Sequence, residues 1–486
     1  MKKFWKYFLI VILSLVGLAA IGVLYLFFIP GSSLFGLCYI SLNENHFSTA
    51  YSVDSNSVET VRLNSRNYDV EIVATKVDSN EIYVKVYANS FGFVLKKYST
   101  VSINANLTAG SLQFDVSEPK GACVKNNSKI TLFIPEGFGS NLILSNNNAN
   151  TVLNTEKYTI SNLTCNTNNG NFNIENAKIN GKIAVSLNKG NFTLGEAVNL
   201  NKNDLDLSTN KGNLYATSSE LGDVVVKKND RAMINIKSCS KFEFKKQSAG
   251  GSINIGEVGE IAINSSSTNV NIDNIKTGAS IDLTAGGQVY VKNVEATSTI
   301  NTHDGDITVD NASYTLSLST SGNGDIVVKN TKGSLFAETR YGDITVKFDE
   351  TADSYATNKS SRLLQAKTSS GKIKAEGADN VNVEVNGNGS AEIYMHDVVG
   401  ENVVFSSIGR IYVEFATEAK FVLTTNAPNS YANVNFLQLS ELGDKNHDFN
   451  GTKSFNINTT SANGNSLSVG TESGSIKIRD VAMKNY

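Results

Sequence analysis

Three aspartates recur at one repeated position of the sequence, and carboxylates with that spacing could bind a divalent cation. Asp306, Asp325 and Asp343 each follow a glycine and precede an isoleucine. If the repeats stack in register, neighbouring carboxylates lie about 5–10 Å apart and repel one another, which raises their pKa values or recruits a cation. Calcium needs about six to eight oxygen ligands, and three carboxylates on a convex turn leave most of that shell to water. We therefore predict turn-stabilising aspartates, with Asp306, Asp325 and Asp343 as weak metal candidates and no cofactor.

The glycine before each aspartate has an explanation that needs no ligand. Glycine adopts positive φ at a turn, and an Asp side chain can accept hydrogen bonds from nearby backbone N–H groups. The Gly-Asn-Gly-Asp run at 322–325 matches half of a calcium-binding nonapeptide repeat. The nine-residue period that such repeats require is missing from the sequence.

The other residues that could carry chemistry are scattered along the chain. The histidines are His46, His303, His396 and His447, and the cysteines are Cys38, Cys123, Cys165 and Cys239. Their spacing fits neither a catalytic triad nor a metal site, so we interpret them as exposed turn histidines and unpaired small hydrophobic cysteines. The one sizeable insert, Asp349–Ser360, holds the charged residues Asp349, Glu350, Asp353 and Lys359. This insert is therefore the first place to expect a cleft for a substrate.

A recurring phrase between residues 251 and 413 must position these groups. A glycine followed by alternating apolar residues returns at Gly251, Gly287, Gly305, Gly324, Gly342, Gly371, Gly389 and Gly409, with a degenerate copy at Thr268. The steps are 17–20 residues, apart from one step of 29 that contains the insert. A period near 18 predicts a solenoid, in which one coil cannot bury its apolar face alone.

The register of the phrase predicts parallel strands. Residues two and four positions after each anchor are apolar in all nine copies, as in a half-buried strand. The outward positions five after the anchor carry Asp273, Lys292, Asp310 and Lys329 in successive coils. Parallel stacking places these opposite charges about 4.8 Å apart, whereas an antiparallel meander gives no reason for the alternation.

The N-terminus predicts a membrane anchor. Residues Tyr7–Ile29 carry no charge, while Lys2, Lys3 and Lys6 precede them and the next basic residue is Arg62. This asymmetry predicts a single span through residues 7–29 of the cell membrane, with a cytoplasmic N-terminus and an extracellular remainder. The alternative is a cleaved signal peptide, but its apolar region is usually only about 7–15 residues long.

We divide the chain into five parts. Residues 1–30 form the cytoplasmic tip and anchor, 31–56 a juxtamembrane linker, 57–139 an irregular β region or cap, 140–415 the regular parallel β-solenoid, and 416–486 further β coils and a cap. Before the regular part, alternating segments predict strands at Val58–Leu63, Asp69–Ala74, Glu81–Ala88, Val101–Asn106, Ser111–Val116 and Lys129–Pro135. At the end, Gly474–Ile478 restores the phrase and is expected to close the rod.

This combination resembles the bacterial family labelled putative adhesin, whose extracellular part is a β-solenoid of unknown function. The resemblance depends on Ile130-Thr-Leu-Phe-Ile-Pro-Glu-Gly137, on the Gly-Asp-Ile phrases and on the closing Thr471-Glu-Ser-Gly-Ser-Ile-Lys-Ile. It covers residues 57–480 and implies an all-β solenoid at the cell surface. The family supplies no catalytic residues to transfer.

The favoured function is a non-enzymatic adhesin or surface-binding module with a glycan or surface protein as ligand. A net charge of −3 and a pI of about 5.9 argue against nucleic acid as a partner. The alternatives are a polysaccharide-acting β-helix enzyme and an envelope-stress sensor. The enzyme needs a cleft with mixed carboxylates and cations, for which the insert is the candidate.

Overall fold

A computed structural model describes most of the chain as two compact units, Met1–Leu221 and Gly222–Tyr486. The described residues are 2–29, 32–34, 37–47, 51–52, 58–66, 68–75, 81–119, 125–135, 139–200, 203–245, 249–349, 362–436, 446–458 and 464–482.

Helix α1 (Lys2–Phe28) forms from the apolar N-terminal run. Its segment Phe4–Phe28 has a mean hydropathy of 2.8 and is almost entirely exposed. Its 25 residues span about 37 Å, enough to cross the hydrocarbon core of a bilayer.

The first unit consists of strands in which buried and exposed side chains alternate. They are β1 (Leu37–Phe47), β2 (Tyr51–Ser52), β3 (Thr60–Asn64), β4 (Asp69–Thr75), β5 (Glu81–Leu95), β6 (Ser102–Thr108), β7 (Ser111–Ser117), β8 (Lys125–Asn126), β9 (Lys129–Pro135), β10 (Ser140–Asn146), β11 (Thr151–Thr167), β12 (Phe172–Ile179), β13 (Ile183–Leu187), β14 (Asn191–Leu200), β15 (Leu205–Thr209) and β16 (Asn213–Lys228), which contains the unit boundary. A 3₁₀ turn, Lys96–Tyr98, follows β5.

Two parallel stacks run through this unit. One is β7–β3–β10–β11–β13–β15, and the other is β9–β4–β11–β12–β14–β16. The spatial order differs from the chain order, because the coil of β7 and β9 lies outside the earlier coil of β3 and β4. Beyond it, β6 pairs antiparallel with β7, and β5 pairs antiparallel with β9. The region 57–139 is therefore both coil and cap, and the antiparallel strands cover edges that would otherwise invite aggregation.

The predicted linker 31–56 contains a long strand. Strand β1 pairs antiparallel with β5, from Leu37 opposite Leu95 to Phe47 opposite Lys85. Cys38 and Ile40 are buried against Val94, so alternating apolar residues fix this segment to the cap. Over residues 37–47 the chain is a strand of the cap and not a linker.

The second unit shows the same alternation of buried and exposed side chains along its strands. They are β17 (Met233–Phe244), β18 (Ala249–Gly286), β19 (Val289–Val294), β20 (Ser298–Thr302), β21 (Ile307–Ala312), β22 (Leu316–Thr320), β23 (Ile326–Thr331), β24 (Leu335–Thr339), β25 (Ile344–Phe348), β26 (Leu363–Thr368), β27 (Ile373–Ala378), β28 (Asn380–Val385), β29 (Ala391–Met395), β30 (Glu401–Ser406), β31 (Arg410–Ala416), β32 (Phe421–Asn435), β33 (Asn446–Ile457), β34 (Ser466–Thr471) and β35 (Ser475–Val481).

Each regular coil of this unit contributes one strand to each of two sheets. The first sheet holds the strands after the anchor glycines, in the order β17–β18–β19–β21–β23–β25–β27–β29–β31–β35–β32. The second sheet runs β18–β20–β22–β24–β26–β28–β30–β34–β32. All pairings within these two sheets are parallel, which confirms the predicted solenoid.

The core of this unit lies between the two sheets. All eighteen apolar positions predicted to point inward are buried, including Ile307, Ile326 and Ile344, which stack in register. Val327 beside them faces outward and is half-buried. The predicted register is confirmed.

The C-terminal end departs from the expected order. Strands β34 and β35 lie between β30 and β31 on one side and β32 on the other. The closing element is β33, which pairs antiparallel with β32. Gly474–Ile478 therefore lies inside the stack rather than closing it, because the earlier hairpin supplies the antiparallel edge that a cap needs.

Candidate functional site

The anchor glycines stack on one another along the turns of the second unit. A Cβ built on Gly324 would overlap the carbonyl oxygen of Gly305, and one on Gly342 would overlap that of Gly324. None of these three has positive φ, whereas Gly287 does, at 127°. The predicted role in positive φ is therefore wrong for these three, and close backbone approach between coils is what excludes a side chain.

A buried hydroxyl three or four residues before many of these glycines holds the turn. The Thr339 hydroxyl accepts a hydrogen bond from the Gly342 N–H at 3.0 Å and donates one to the Gly324 carbonyl, also at 3.0 Å. Thr320 donates to the Gly324 carbonyl at 2.8 Å. The equivalent hydroxyls that accept from the anchor N–H belong to Thr167, Thr209, Thr368, Ser406 and Thr471. This ladder was not predicted, although its Thr/Ser-x-x-Gly spacing is visible in the sequence.

The three candidate aspartates form a ladder in which each carboxylate accepts a hydrogen bond from a backbone N–H group. The Asp306 carboxylate accepts a hydrogen bond from the Asp325 N–H at 3.0 Å, and the Asp325 carboxylate accepts one from the Asp343 N–H at 2.7 Å. Asp343 in turn accepts from the Lys372 N–H at 2.7 Å. Each carboxylate therefore stabilises the turn of the following coil. Within the part of the chain that the structure describes, no three His, Cys, Asp or Glu side chains converge as a metal site.

Asparagines form comparable ladders in both units. In the second unit, Asn293 donates to Asn274 at 2.7 Å and Asn311 donates to Asn293 at 3.0 Å. In the first unit, Asn188 donates to Asn168 and Asn210 to Asn188, each at 2.6 Å. In such a ladder each amide side chain hydrogen-bonds the equivalent amide of the next coil. This explains the asparagine-rich composition without a ligand.

The predicted alternation of charge on the first sheet produces one direct ion pair. The Lys329 ammonium lies 2.7 Å from the Asp310 carboxylate, which also accepts a hydrogen bond from the Tyr290 hydroxyl at 2.5 Å. Hydrogen bonds from Lys329 and Tyr290 hold the pKa of Asp310 below its usual value. Lys292, the neighbour on the other side, lowers this pKa further through its charge.

A ligand-sized depression lies on the outward side of the second sheet. It is a groove of about 420 Å³ at the ends of β22, β24 and β26, lined by Ser319, Thr320, Ser321, Glu338, Thr339, Arg340, Lys367 and Ser369. Regular stacking makes this surface, because Glu338 and Lys367 occupy equivalent positions of adjacent strands. The candidate sites predicted from the sequence were the aspartate turns and the insert, and this groove was not predicted.

The groove combines the hydroxyls of Ser319, Ser321 and Ser369 with two cations. Lys367 lies 3.2 Å from Glu384 in the next coil, whereas the Arg340 guanidinium lies over the Tyr341 ring at 4.9 Å. Ser321 contacts the His303 ring nitrogen at 2.5 Å. Glu338 is the only carboxylate among the described residues that line the groove. The arrangement can donate several hydrogen bonds to oxygens of a polar ligand.

The insert that the sequence singled out lies mostly outside the described residues. Of the four charged residues named there, only Asp349 is described, and it is nearly buried with Lys332 at 3.4 Å. Just after the insert, Arg362 and Asp379 are fully buried with 3.6 Å between their charged groups. This pair links adjacent coils from inside, and no sequence signal had suggested it.

The histidines and cysteines divide between surface and core. His303 is exposed in a turn as predicted, whereas His396 is buried and His447 lies in β33 between Phe436 and Phe455. The interpretation as exposed turn residues is thus wrong for His396, which is buried, and for His46 and His447, which lie in strands β1 and β33. Cys38, Cys165 and Cys239 are free and buried, as predicted, and Cys123 lies outside the described residues. Burial, with a contribution from Asp223, raises the pKa of the Cys239 thiol to about 12, so it stays protonated.

These features define a parallel β-solenoid whose side-chain ladders are structural and whose outward face carries a polar groove. Residues 222–388, which contain that groove, match the family model described as Toastrack DUF4097. The resemblance predicted from the sequence is confirmed over this stretch. No curated protein matches the chain.

Solved structures give only distant likenesses. A putative cell adhesion protein from Clostridium sporogenes is 11% identical, with 90% of this chain and 100% of that chain covered and a TM-score of 0.15. A putative adhesin from Bacteroides fragilis is 10% identical, with 90% and 97% covered and a TM-score of 0.13. A putative adhesin from Parabacteroides distasonis is 15% identical, with 72% and 97% covered and a TM-score of 0.18. TM-scores this low do not indicate a shared overall arrangement.

Proposed function

We propose that the protein is a membrane-anchored, non-enzymatic binding module of the cell surface, and that its second unit binds an extracellular glycan. The observation that carries the proposal is the groove across β22, β24 and β26, with its hydroxyls, Arg340 and Lys367. The hydroxyls of Thr320 and Thr339 are used within the solenoid, whereas the exposed Arg340 and the serine side chains of the groove face outward.

A glycan fits the chemistry of the groove. Hydroxyls and cations can hydrogen-bond sugar hydroxyl and carboxylate oxygens, and the exposed rings of Phe336 and Tyr341 offer apolar faces nearby. Glycoside hydrolysis commonly needs two carboxylates flanking the scissile bond, and the described lining supplies only Glu338. Binding without cleavage is therefore the function that we infer.

Helix α1 supplies the proposed anchor. Lys2, Lys3 and Lys6 at its start favour a cytoplasmic N-terminus, which places both β units outside the cell. Protease added to intact cells should then digest both units and leave a small membrane-bound fragment. Complete protection, or release of the mature chain into the medium without a fragment, would contradict this topology.

The binding test uses the full chain in lipid nanodiscs and a panel of neutral and acidic oligosaccharides. We expect Arg340→Ala and Lys367→Ala each to weaken binding of any captured glycan at least tenfold. Arg231→Ala, which removes an exposed arginine elsewhere in the same unit, should leave binding unchanged.

Analysis of the recovered glycans completes the test. Intact oligosaccharides support a binding module, and shortened products would establish the enzyme instead. Equal losses in the Arg340→Ala and Arg231→Ala variants would show that the groove is not the site.

A further inference from the structure

The outward face of the antiparallel pair β1 and β5 is most apolar at the end next to α1. Along β5 the outward positions change from a mixed set to three apolar residues in succession. The mixed set is Glu81, Tyr83, Lys85, Tyr87 and Asn89, and the apolar residues are Phe91, Phe93 and Leu95. The paired strand β1 shows the same change, because Leu37 lies opposite Leu95 and Tyr39 lies opposite Phe93. Phe91, Leu95 and Leu37 are 43%, 41% and 44% exposed. The outward face of a capping strand is normally polar. An exposed apolar patch on it therefore indicates a surface that binds something outside the solenoid.

The end of α1 lies against this patch. The ring of Phe27, in the last turn of the helix, is 4.5 Å from the ring of Tyr39. The Tyr39 ring in turn lies 5.2 Å from the ring of Phe93 in β5. A chain of aromatic contacts therefore joins the helix to the strand pair. A depression of about 360 Å³ lies beside this contact, between Phe27, residues 38–42 of β1, Lys96 and Ser99.

The position of the patch follows from that contact. If α1 spans a bilayer, Phe27 lies at the outer boundary of the hydrocarbon core, and Tyr39 and Phe93 must lie in the adjoining headgroup layer. Aromatic rings and lysines are favoured in that layer, because both place an apolar part toward lipid and a polar end toward water. The 3₁₀ turn beside Leu95 has this composition, with the Lys97 ammonium 4.7 Å above the ring of Tyr98 and Lys96 next to it.

We propose that this face docks on the outer leaflet of the phospholipid bilayer. We define it as the juxtamembrane face, consisting of Leu37, Tyr39, Phe91, Phe93, Leu95 and Tyr98 with Lys96 and Lys97. The proposal rests on the proposed membrane anchor. It adds that the first cap lies on the lipid surface, where its aromatic side chains enter the boundary between headgroups and acyl chains and its lysines face lipid phosphates. The cap is thereby held at the membrane by two contacts, the helix and the juxtamembrane face.

Tryptophan depth measurements test this, because Trp5 in α1 is the only tryptophan of the chain. The full chain is reconstituted into phosphatidylcholine vesicles whose acyl chains carry bromine near the headgroup, which quenches nearby indole fluorescence. Wild type reports on α1 through Trp5. In a Trp5→Phe background, Phe91→Trp and Tyr98→Trp report on the juxtamembrane face, and Tyr314→Trp is a control at an exposed site in the second unit.

We expect at least a twofold loss of fluorescence for Phe91→Trp and Tyr98→Trp, and no loss for Tyr314→Trp. Using both reporters guards against a local folding defect at either one, and matching melting curves identify a usable variant. Quenching of Trp5 without quenching at positions 91 and 98 would overturn the docking and leave the anchor intact. No quenching of Trp5 would overturn both. Unquenched reporters with a concentration-dependent blue shift would assign the face to a second copy of the chain, and so would also overturn docking.

Discussion

The Asp325 carboxylate accepts a hydrogen bond from the backbone N–H of Asp343, 2.7 Å away in the next coil. The side chain that the sequence offered as a metal ligand is thus a bridge between turns. The same contact joins Asp306 to Asp325 at 3.0 Å. An aspartate at the same position of successive repeats therefore links each coil to the next.

The first prediction separates this structural role from metal binding. Asp325→Ala should lower the free energy of unfolding by about 0.5–1.5 kcal/mol, because the Asp343 N–H loses its acceptor. Asp325→Asn keeps an acceptor oxygen and removes repulsion within the ladder, so it should be at least as stable as wild type. Thermal melting with excess calcium and then with chelator checks both variants. A large calcium-dependent rise in Tm that disappears in Asp325→Asn would make the ladder a metal site.

The second prediction concerns the register of β23. Ile326→Asp places an unpaired carboxylate between Ile307 and Ile344 and should destabilise the unit by several kcal/mol. Val327→Asp, one residue along and outward, should be mild. Hydrogen exchange of the adjacent strands measures the local loss, and equal destabilisation by the two substitutions would be incompatible with the observed register.

The third prediction tests the buried hydroxyl ladder. Thr339→Val keeps the shape of the side chain but leaves the Gly342 N–H and the Gly324 carbonyl without this partner. The expected loss in the free energy of unfolding is about 1–3 kcal/mol. Thr339→Ser retains the hydroxyl and is the matched control, which should lose less. If Val and Ser are equally tolerated in chemical denaturation, the hydroxyl does not hold the turn.

The fourth prediction concerns pH. Since the folded-state pKa of Asp310 lies below its usual value, the Asp310–Lys329 pair stabilises the fold above a pH of about 4, the unfolded pKa of aspartate. This contribution is lost as pH falls through the lower folded-state pKa. The Tm of wild type should therefore exceed that of Asp310→Asn at pH 6, and the difference should shrink at pH 3. A difference that stays constant between these pH values would contradict the assignment.

The fifth prediction follows from the insertion of the final strands. Deleting residues 466–486 removes β34 and β35 from between β31 and β32, so the hairpin of β32 and β33 loses its parallel partners. We expect fast hydrogen exchange over β32 and β33 and an increased tendency to aggregate through the exposed edges. Unchanged protection of that hairpin would show that it folds independently of the last coil.

The sequence alone determined the class of fold and the inward register of the coils. A period near 18 and strict alternation fix which side chains are buried, since a strand presents successive residues to opposite faces. Ile307, Ile326 and Ile344 could therefore be assigned before any coordinates, and so could the helix from the uncharged N-terminal run. The burial of a strand residue and the apolar helix both depend on residues close together in the sequence, so a short-range pattern predicts them.

Only the tertiary structure decided the order of the coils at both ends. Strands β3 and β7, and likewise β32 and β34, carry similar alternation, so the pattern cannot say which lies next to the regular stack. That choice depends on long-range pairing and on which antiparallel hairpin can cover the final edge. The sequence could not reveal the burial of Arg362 with Asp379 for the same reason, because the two residues become neighbours only when adjacent coils stack.

The groove and the juxtamembrane face were also decided by tertiary structure. Arg340 and Lys367 are separated by the insert in sequence, and they line one depression because β24 and β26 pair across it. Phe27 meets Tyr39 because the cap folds back onto the end of the helix. The sequence determined which residues are outward, and the three-dimensional pairing of strands decided which outward residues share a surface.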